Sequence, residues 1–214
     1  MLSASKIISK APGPLSKMVV FLHGYGASGE DLIGLSHSFE SLLPPTVFLA
    51  PNGPDRCDAN VFGYQWFGLP DFSPTNMRLG LDRIRPVLEN YLRSLLTQYQ
   101  LSPQDLALVG FSQGTIVALE MMFAIPDIRC ILGYSGAFFC PPSPPLPLAK
   151  VMLIHGDLDT VVPYPIFLQS KKQLTDLGIQ VEAHTCPGVL HTIDEKGIQL
   201  GARFLAQNLS LDNS

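Results

Sequence analysis

The sequence predicts an α/β protein: a mainly parallel central sheet with helices on both faces. Three observations lead there. Short strand-like runs recur along the 214 residues, at 18–22, 46–50, 106–109, 129–134, 150–154 and 180–185. Segments of helical period separate them, so that strands and helices alternate, about six of each. Most of the strands are continuously apolar rather than alternating, as strands covered on both faces must be. Alternation together with two-sided burial describes a doubly covered parallel sheet.

Taken in order, Met18-Val19-Val20-Phe21-Leu22 is the first such strand and ends at His23-Gly24-Tyr25-Gly26. Ser28, Glu30 and Asp31 open a helix carrying Leu32, Leu35, Phe39 and Leu42-Leu43, stopped by Pro44-Pro45. The strand at 46–50 ends at Pro51-Asn52-Gly53-Pro54. Residues 51–76 form the longest irregular stretch and hold Phe62, Tyr64, Trp66, Phe67, Leu69 and Phe72 among glycines and prolines. Loops of that length usually have a function. These aromatics read as a satellite cluster that pins the loop and as an apolar wall for substrate, two compatible roles, with Trp66, Phe67 and Leu69 the candidates for the wall.

Residues 77–100 follow a helical period through Leu81, Ile84, Leu88, Leu92 and Leu95-Leu96. Pro86 inside it predicts a kink or a later start. The run 106–109 passes through Gly110-Phe111-Ser112-Gln113-Gly114 into a helix holding Ile116, Val117, Leu119 and Met122. After the strand at 129–134, Cys140-Pro141-Pro142-Ser143-Pro144-Pro145-Leu146-Pro147 reads as a stiff loop or a polyproline ligand. The strand at 150–154 leads to His155-Gly156-Asp157-Leu158-Asp159, residues 163–177 are helical, and 180–185 is the last strand. Gly188-Val189-Leu190-His191 then opens a final amphipathic helix with Ile198, Leu200, Phe204 and Leu205.

Composition narrows the function. With 46% hydrophobic and 15% charged residues, the chain is expected to be one globular domain over 1–214. Residues 1–17 form an N-terminal segment, and the tail at 207–214 is expected to fray. A formal charge of −4 without clustered Lys and Arg argues against nucleic acid as a partner. Four scattered cysteines, Cys57, Cys130, Cys140 and Cys186, fit reduced thiols. No signal-peptide core and no apolar run of about 20 residues is present, so a soluble, cytoplasmic protein is expected.

Gly-x-Ser-x-Gly between an apolar strand and a helix is the pattern of a nucleophile elbow, which lifts the Ser112 hydroxyl above a sheet. Its two glycines leave room where backbones come close. A serine hydroxyl needs a base to take its proton, and the base needs a third group to orient it. Ser112, Asp159 and His191 occur in the chain order of α/β-hydrolase triads. Each stands just after a strand, as Gly24-Tyr25 does, where parallel sheets gather functional groups. His191, in a loop after the last strand, can reach back over the elbow. Of the competitors, His184 lies within that strand, His155 points into its own turn and His37 lies on the first helix. Asp157 competes with Asp159, and its alternative role is to tie the turn through nearby amides. The amide after the nucleophile, Gln113, and that of Tyr25 are candidate donors to an oxyanion.

Leu22-His23-Gly24-Tyr25-Gly26, Trp66-Phe67, the Ser112 pentapeptide, the run from His155 to Pro163 and Gly188-Val189-Leu190-His191 together resemble the phospholipase/carboxylesterase family. That family includes acyl-protein thioesterases and small bacterial carboxylesterases. The resemblance spans nearly the whole chain, in matching order and spacing. It implies a compact α/β-hydrolase fold with no large cap domain, with Ser112 as nucleophile, His191 as base and Asp159 as its partner. It also implies Tyr25 and Gln113 amides as the oxyanion hole. Tyr25 and Gly68 stand where eukaryotic thioesterases usually carry Leu and Asp, which places the resemblance on the bacterial carboxylesterase side. The implied activity is hydrolysis of short- to medium-chain acyl esters or thioesters, on small-molecule or lipid substrates, with no metal and no organic cofactor. A serine peptidase, a dienelactone-type hydrolase and a non-catalytic binding module remain as alternatives, and a homodimer remains open.

Overall fold

Alternate residues of each central strand enter opposite hydrophobic layers. In strand β2 (Lys17–Leu22), Met18, Val20 and Leu22 face one layer and Val19 and Phe21 the other. Strand β6 (Leu106–Phe111) divides in the same way, Leu106 and Leu108 against Ala107 and Val109. A strand with two apolar faces cannot tolerate a polar alternate, which is why the sequence shows unbroken apolar runs.

The computed structural model describes residues 2–9, 11–142 and 146–210. Its main sheet also contains β1 (Ala4–Ile8), β3 (Thr46–Pro51), β7 (Cys130–Tyr134), β8 (Lys150–Gly156) and β9 (Val181–Cys186), while β4 (Asp55–Arg56) and β5 (Tyr64–Gln65) pair with each other in a separate antiparallel ribbon. The spatial order is β1-β3-β2-β6-β7-β8-β9. All neighbouring pairs are parallel except β1 and β3, which run antiparallel with Ala4 opposite Pro51. One layer is covered by helices α3 (Pro74–Tyr99), α4 (Gln113–Ala124) and α5 (Tyr164–Asp176), which supply Leu81, Ile116 and Phe167. The other is covered by α1 (Gly29–Ile33), α2 (Ser36–Phe39) and α6 (Glu195–Leu209), which supply Leu32, Phe39 and Phe204. Each such large apolar side chain contributes about 1.5–3 kcal/mol on burial. No large cap is inserted among the described residues, and none of their helices is long and apolar enough to cross a membrane.

Four expectations need correction. The segment before residue 17 contains β1, an edge strand. The single helix expected after Ser28 is two short ones, although its Ser28 capping box forms as a start signal should. Helix α3 begins at Pro74 and continues past Pro86 to Tyr99, so the helix does not start late at Pro86. Pro86 is exposed, and so is Asp82, whose carbonyl lacks the partner that the proline ring removes, so solvent can satisfy it. Helix α6 extends to Leu209, which is fully buried, so 207–209 do not fray. Residues 211–214, and Ser143 to Pro145 of the proline-rich run, lie outside the described residues.

Candidate active site

The carboxyl ends of β2, β6, β8 and β9 carry, in turn, Gly24-Tyr25, Ser112, Asp159 and His191. Ser112 sits between β6 and α4 with φ 53° and ψ −118°, a conformation that costs a non-glycine residue about 1–3 kcal/mol. The neighbourhood holds it there. Its N–H donates to the carbonyl of Tyr134 at 2.9 Å, and its carbonyl accepts from the amides of Thr115 at 3.0 Å and Ile116 at 3.3 Å. The elbow glycines meet different obstacles. A Cβ on Gly110 would lie 2.5 Å from Thr115 Cα, and one on Gly114 would lie 1.8 Å from the carbonyl oxygen of Leu22. The second glycine therefore lets α4 approach β2, the strand that carries the Tyr25 loop.

Ser112 Oγ lies 3.0 Å from His191 Nε2, and His191 Nδ1 lies 2.7 Å from Asp159 Oδ2. A carboxylate only accepts, so the His191 proton resides on Nδ1 and leaves Nε2 free to accept from the serine. The ring of Phe111 holds His191 from the side, with centroids 4.9 Å apart. The Asp159 side chain is fully buried. Its Oδ1 accepts the amides of Val161 and Val162, each at 2.9 Å. Burial would raise its pKa, but the hydrogen bond from His191 and those two amides outweigh burial and hold the carboxyl below the usual carboxylate range. It is thus an anion fixed to one side of an imidazole. Asp157 is exposed and ties the turn instead, its Oδ1 accepting the Gly188 amide at 2.7 Å.

Two histidines that sequence reading set aside border the site. His155 donates from Nε2 to the carbonyl of Val162 at 2.8 Å, with the same nitrogen 3.4 Å from Asp159 Oδ2. His23 donates from Nδ1 to the carbonyl of Gly24 at 2.7 Å and accepts the Gly53 amide at Nε2, at 2.9 Å. Burial lowers the pKa of both rings, which favours the neutral form in each. His184 lies on β9 and His37 on α2. Among the described residues no group of three or more His, Cys, Asp or Glu side chains is arranged to hold a metal ion.

The amides of Tyr25 and Gln113 belong to adjacent segments. A Cβ on Gly24 would lie 3.2 Å from that of Ser112, so the Tyr25 turn passes directly beside the nucleophile. Gln113, as the first residue of α4, has no helical acceptor for its N–H.

The expected aromatic wall is placed differently. Trp66 and Phe67 are both 1% exposed. Trp66 Nε1 donates to the carbonyl of His23 at 2.9 Å, and the Phe67 ring fills the space that Gly80 leaves open on α3. Leu69 packs half-buried against the same core. All three pack into the cluster that pins the loop down, and none of them lines the cavity between the helices. That cavity has a volume of about 820 Å³ and opens between α3, α4 and α5. Its lining includes Phe72, Ile116, Phe138, Cys140, Val162 and Ile166. Ile116 lies one turn past Ser112, and Val162 is one of the two amide donors to Asp159, so cavity and hydrogen-bonded chain are neighbours.

Comparison with known proteins agrees with this fold. A family model described as Phospholipase/Carboxylesterase matches residues 3–209. The crystal structure of esterase PE8 superposes with a TM-score of 0.89 at 38% identity, covering 97% of this chain and 99% of that one. Esterase YpfH of Escherichia coli (strain K12) is 24% identical over 200 residues, 93% of this chain and 86% of its own. Acyl-protein thioesterase 1 of Saccharomyces cerevisiae is 25% identical over 217 residues, 92% and 95% of the two chains. The chain belongs to the phospholipase/carboxylesterase family and is a serine hydrolase with the α/β-hydrolase fold.

Proposed function

We propose that the protein is a carboxylesterase for short- to medium-chain acyl esters or thioesters, with Ser112 as nucleophile, His191 as general base and Asp159 as the carboxylate that orients it. The observation that carries this reading is the unbroken chain from Ser112 Oγ through His191 to Asp159, with contacts of 3.0 and 2.7 Å. Ser112 Oγ attacks the acyl carbonyl as its proton passes to His191 Nε2. The oxyanion that forms is stabilised by the amides of Tyr25 and Gln113. Collapse expels the alcohol or thiol, which takes the proton from His191, and leaves an acyl group on Ser112. Water, deprotonated by His191, then attacks that acyl group, and the second collapse returns the proton to Ser112 and frees the acid. Asp159 stays ionised throughout and stabilises the imidazolium.

The cavity beside Ile116 is suited to the acyl chain. Its volume of about 820 Å³ falls within the range of about 300–1,000 Å³ typical of small-molecule sites. Each buried methylene would add about 0.8 kcal/mol. The test is Ser112→Ala, assayed on p-nitrophenyl esters and acyl thioesters of increasing length alongside fluorophosphonate labelling of the parent. Loss of hydrolysis, with labelling mapped to Ser112, is the expected outcome. Retained hydrolysis in Ser112→Ala, or a label on another residue, overturns the reading.

A further inference from the structure

We infer that His23, Trp66 and the Gln113 side chain are positioning residues that lock the two oxyanion donors into one frame, an inference that rests on the roles proposed above for the Tyr25 and Gln113 amides. The two donors come from segments far apart in sequence, one after β2 and one at the start of α4. A hole made of two amides lowers the barrier only if their spacing and aim are fixed before charge develops.

The fixing runs through side chains. Gln113 spans the backbone of the loop opposite: its Oε1 accepts the Trp66 amide at 3.0 Å and its Nε2 donates to the Phe67 carbonyl at 2.8 Å. The Trp66 indole donates to the His23 carbonyl at 2.9 Å, and the two rings lie 5.1 Å apart, tilted by 30°. His23 Nδ1 then donates to the Gly24 carbonyl at 2.7 Å. That last bond matters because the Gly24 carbonyl and the Tyr25 N–H are two ends of one peptide group. A peptide is planar and trans, so fixing its oxygen fixes the direction of its N–H on the opposite side. The Ala27 amide bonds the same oxygen at 3.2 Å and adds a second constraint. Donation to a peptide oxygen also polarises its N–H, which strengthens it as a donor. The chain of bonds therefore begins on the residue that supplies one donor and ends on the peptide that supplies the other. His23, Trp66 and Gln113 are each at most 2% exposed, so water does not compete for these bonds.

A purely structural role, closing the 51–73 loop over the core, would also use these contacts, so the experiment separates the two. Trp66→Phe removes the indole N–H while keeping an aromatic ring. Gln113→Met keeps the length of the side chain and removes both of its bonds. For each variant, kcat per active site is measured after titration with a fluorophosphonate, together with KM, thermal midpoint and affinity for a trifluoromethyl ketone. That inhibitor's hemiketal oxygen occupies the hole as an anion. The expected result is kcat lower by about 10- to 100-fold, less than the about 10²–10³-fold for a donor lost outright. KM should stay within about twofold, and inhibitor affinity should fall by about the same factor as kcat. Because the two variants cut different links, either one that folds gives the answer. A lowered thermal midpoint with kcat per site and inhibitor affinity both within about twofold of the parent overturns the inference. If Ser112→Ala is inactive and that result is found, the brace alone is refuted. If Ser112→Ala remains active, the underlying assignment of the nucleophile is what fails.

Discussion

Replacing Asp159 by Asn puts the proton relay to a sharp test, because the site dictates which way the new amide must face. Asp159 Oδ1 accepts two backbone amides, from Val161 and Val162, and Oδ2 faces His191 Nδ1. An asparagine has one accepting end and one donating end. With its oxygen toward the two amides, both backbone bonds survive and its NH2 faces His191. In the reverse orientation the buried Val162 amide and the part-buried Val161 amide would face a donor, at about 1–3 kcal/mol for the first and less for the second. A total of about 2 kcal/mol favours the first orientation roughly 30-fold. His191 must then accept at Nδ1, which moves its own proton to Nε2, against Ser112 Oγ. A protonated Nε2 cannot take the serine proton.

The expected loss in kcat/KM is therefore large, about 10⁴-fold by analogy with other triads whose carboxylate is made an amide. The fold should hardly notice, since the substitution is isosteric and both backbone bonds remain. The assay is hydrolysis of a p-nitrophenyl ester, with the thermal midpoint measured on the same preparations. Asp157→Asn is the control: the Asp157 side chain accepts the Gly188 amide, which an asparagine oxygen can still accept, and activity should stay within about threefold. Asp159→Asn retaining more than about a tenth of parental activity would refute the tautomer argument, and a larger loss in Asp157→Asn would move the orienting role to that residue.

Three further outcomes follow from the charges and thiols. Burial would raise the Asp105 carboxyl, but the Lys17 ammonium at 2.7 Å and the Ser102 hydroxyl and amide outweigh it and hold its pKa below the usual range. Its contribution to stability is complete above the unfolded-state value of about 3.9 and is lost as the pH falls through the lower folded value; urea titrations of the parent should weaken over that window, and Asp105→Asn should show a shallower decline. Cys140 is exposed while Cys57, Cys130 and Cys186 are buried, and burial pushes the Cys130 thiol up to about 12. One thiol should thus react with Ellman's reagent in the native protein and four in guanidinium. Because Cys140 also lines the cavity, a bulky maleimide there should slow long-chain esters more than acetate esters; equal slowing would place the acyl chain elsewhere.

How far the sequence could be read depended on where each signal lies. The central strands were legible because burial on both faces leaves an unbroken apolar run, as in β2 and β6. β1 was missed for the opposite reason: its residues alternate between exposed and half-buried, and its sheet partner, β3, lies some 40 residues on in the chain. The break between α1 and α2 was missed because Leu32, Leu35 and Phe39 keep a helical spacing across it. Ser112, Asp159 and His191 could be singled out because a Gly-x-Ser-x-Gly turn, a carboxylate and one of five histidines stand just past strand ends, in the chain order of a hydrolase triad. Trp66 and Phe67 were open to two readings, since composition does not say which way a loop aromatic points. The lining of the cavity draws on α3, α4, α5 and three loops, which no local window can join.

The distinction goes deeper than sequence distance. The contacts of the proposed proton relay join side chains to side chains, and each leaves a mark in the residue types present. The contacts that aim them end on main-chain carbonyls: Val162 for His155, Gly24 for His23, His23 for Trp66 and Phe67 for Gln113. Every residue offers a carbonyl, so the accepting side of these bonds writes nothing into the sequence. A reading of residue types can therefore find the reacting groups of such a site and pass over what holds them still. His23 and Gln113 show this directly, since the first was read as part of a tight glycine turn and the second for its amide alone. Only the positions of their acceptors give their side chains a role.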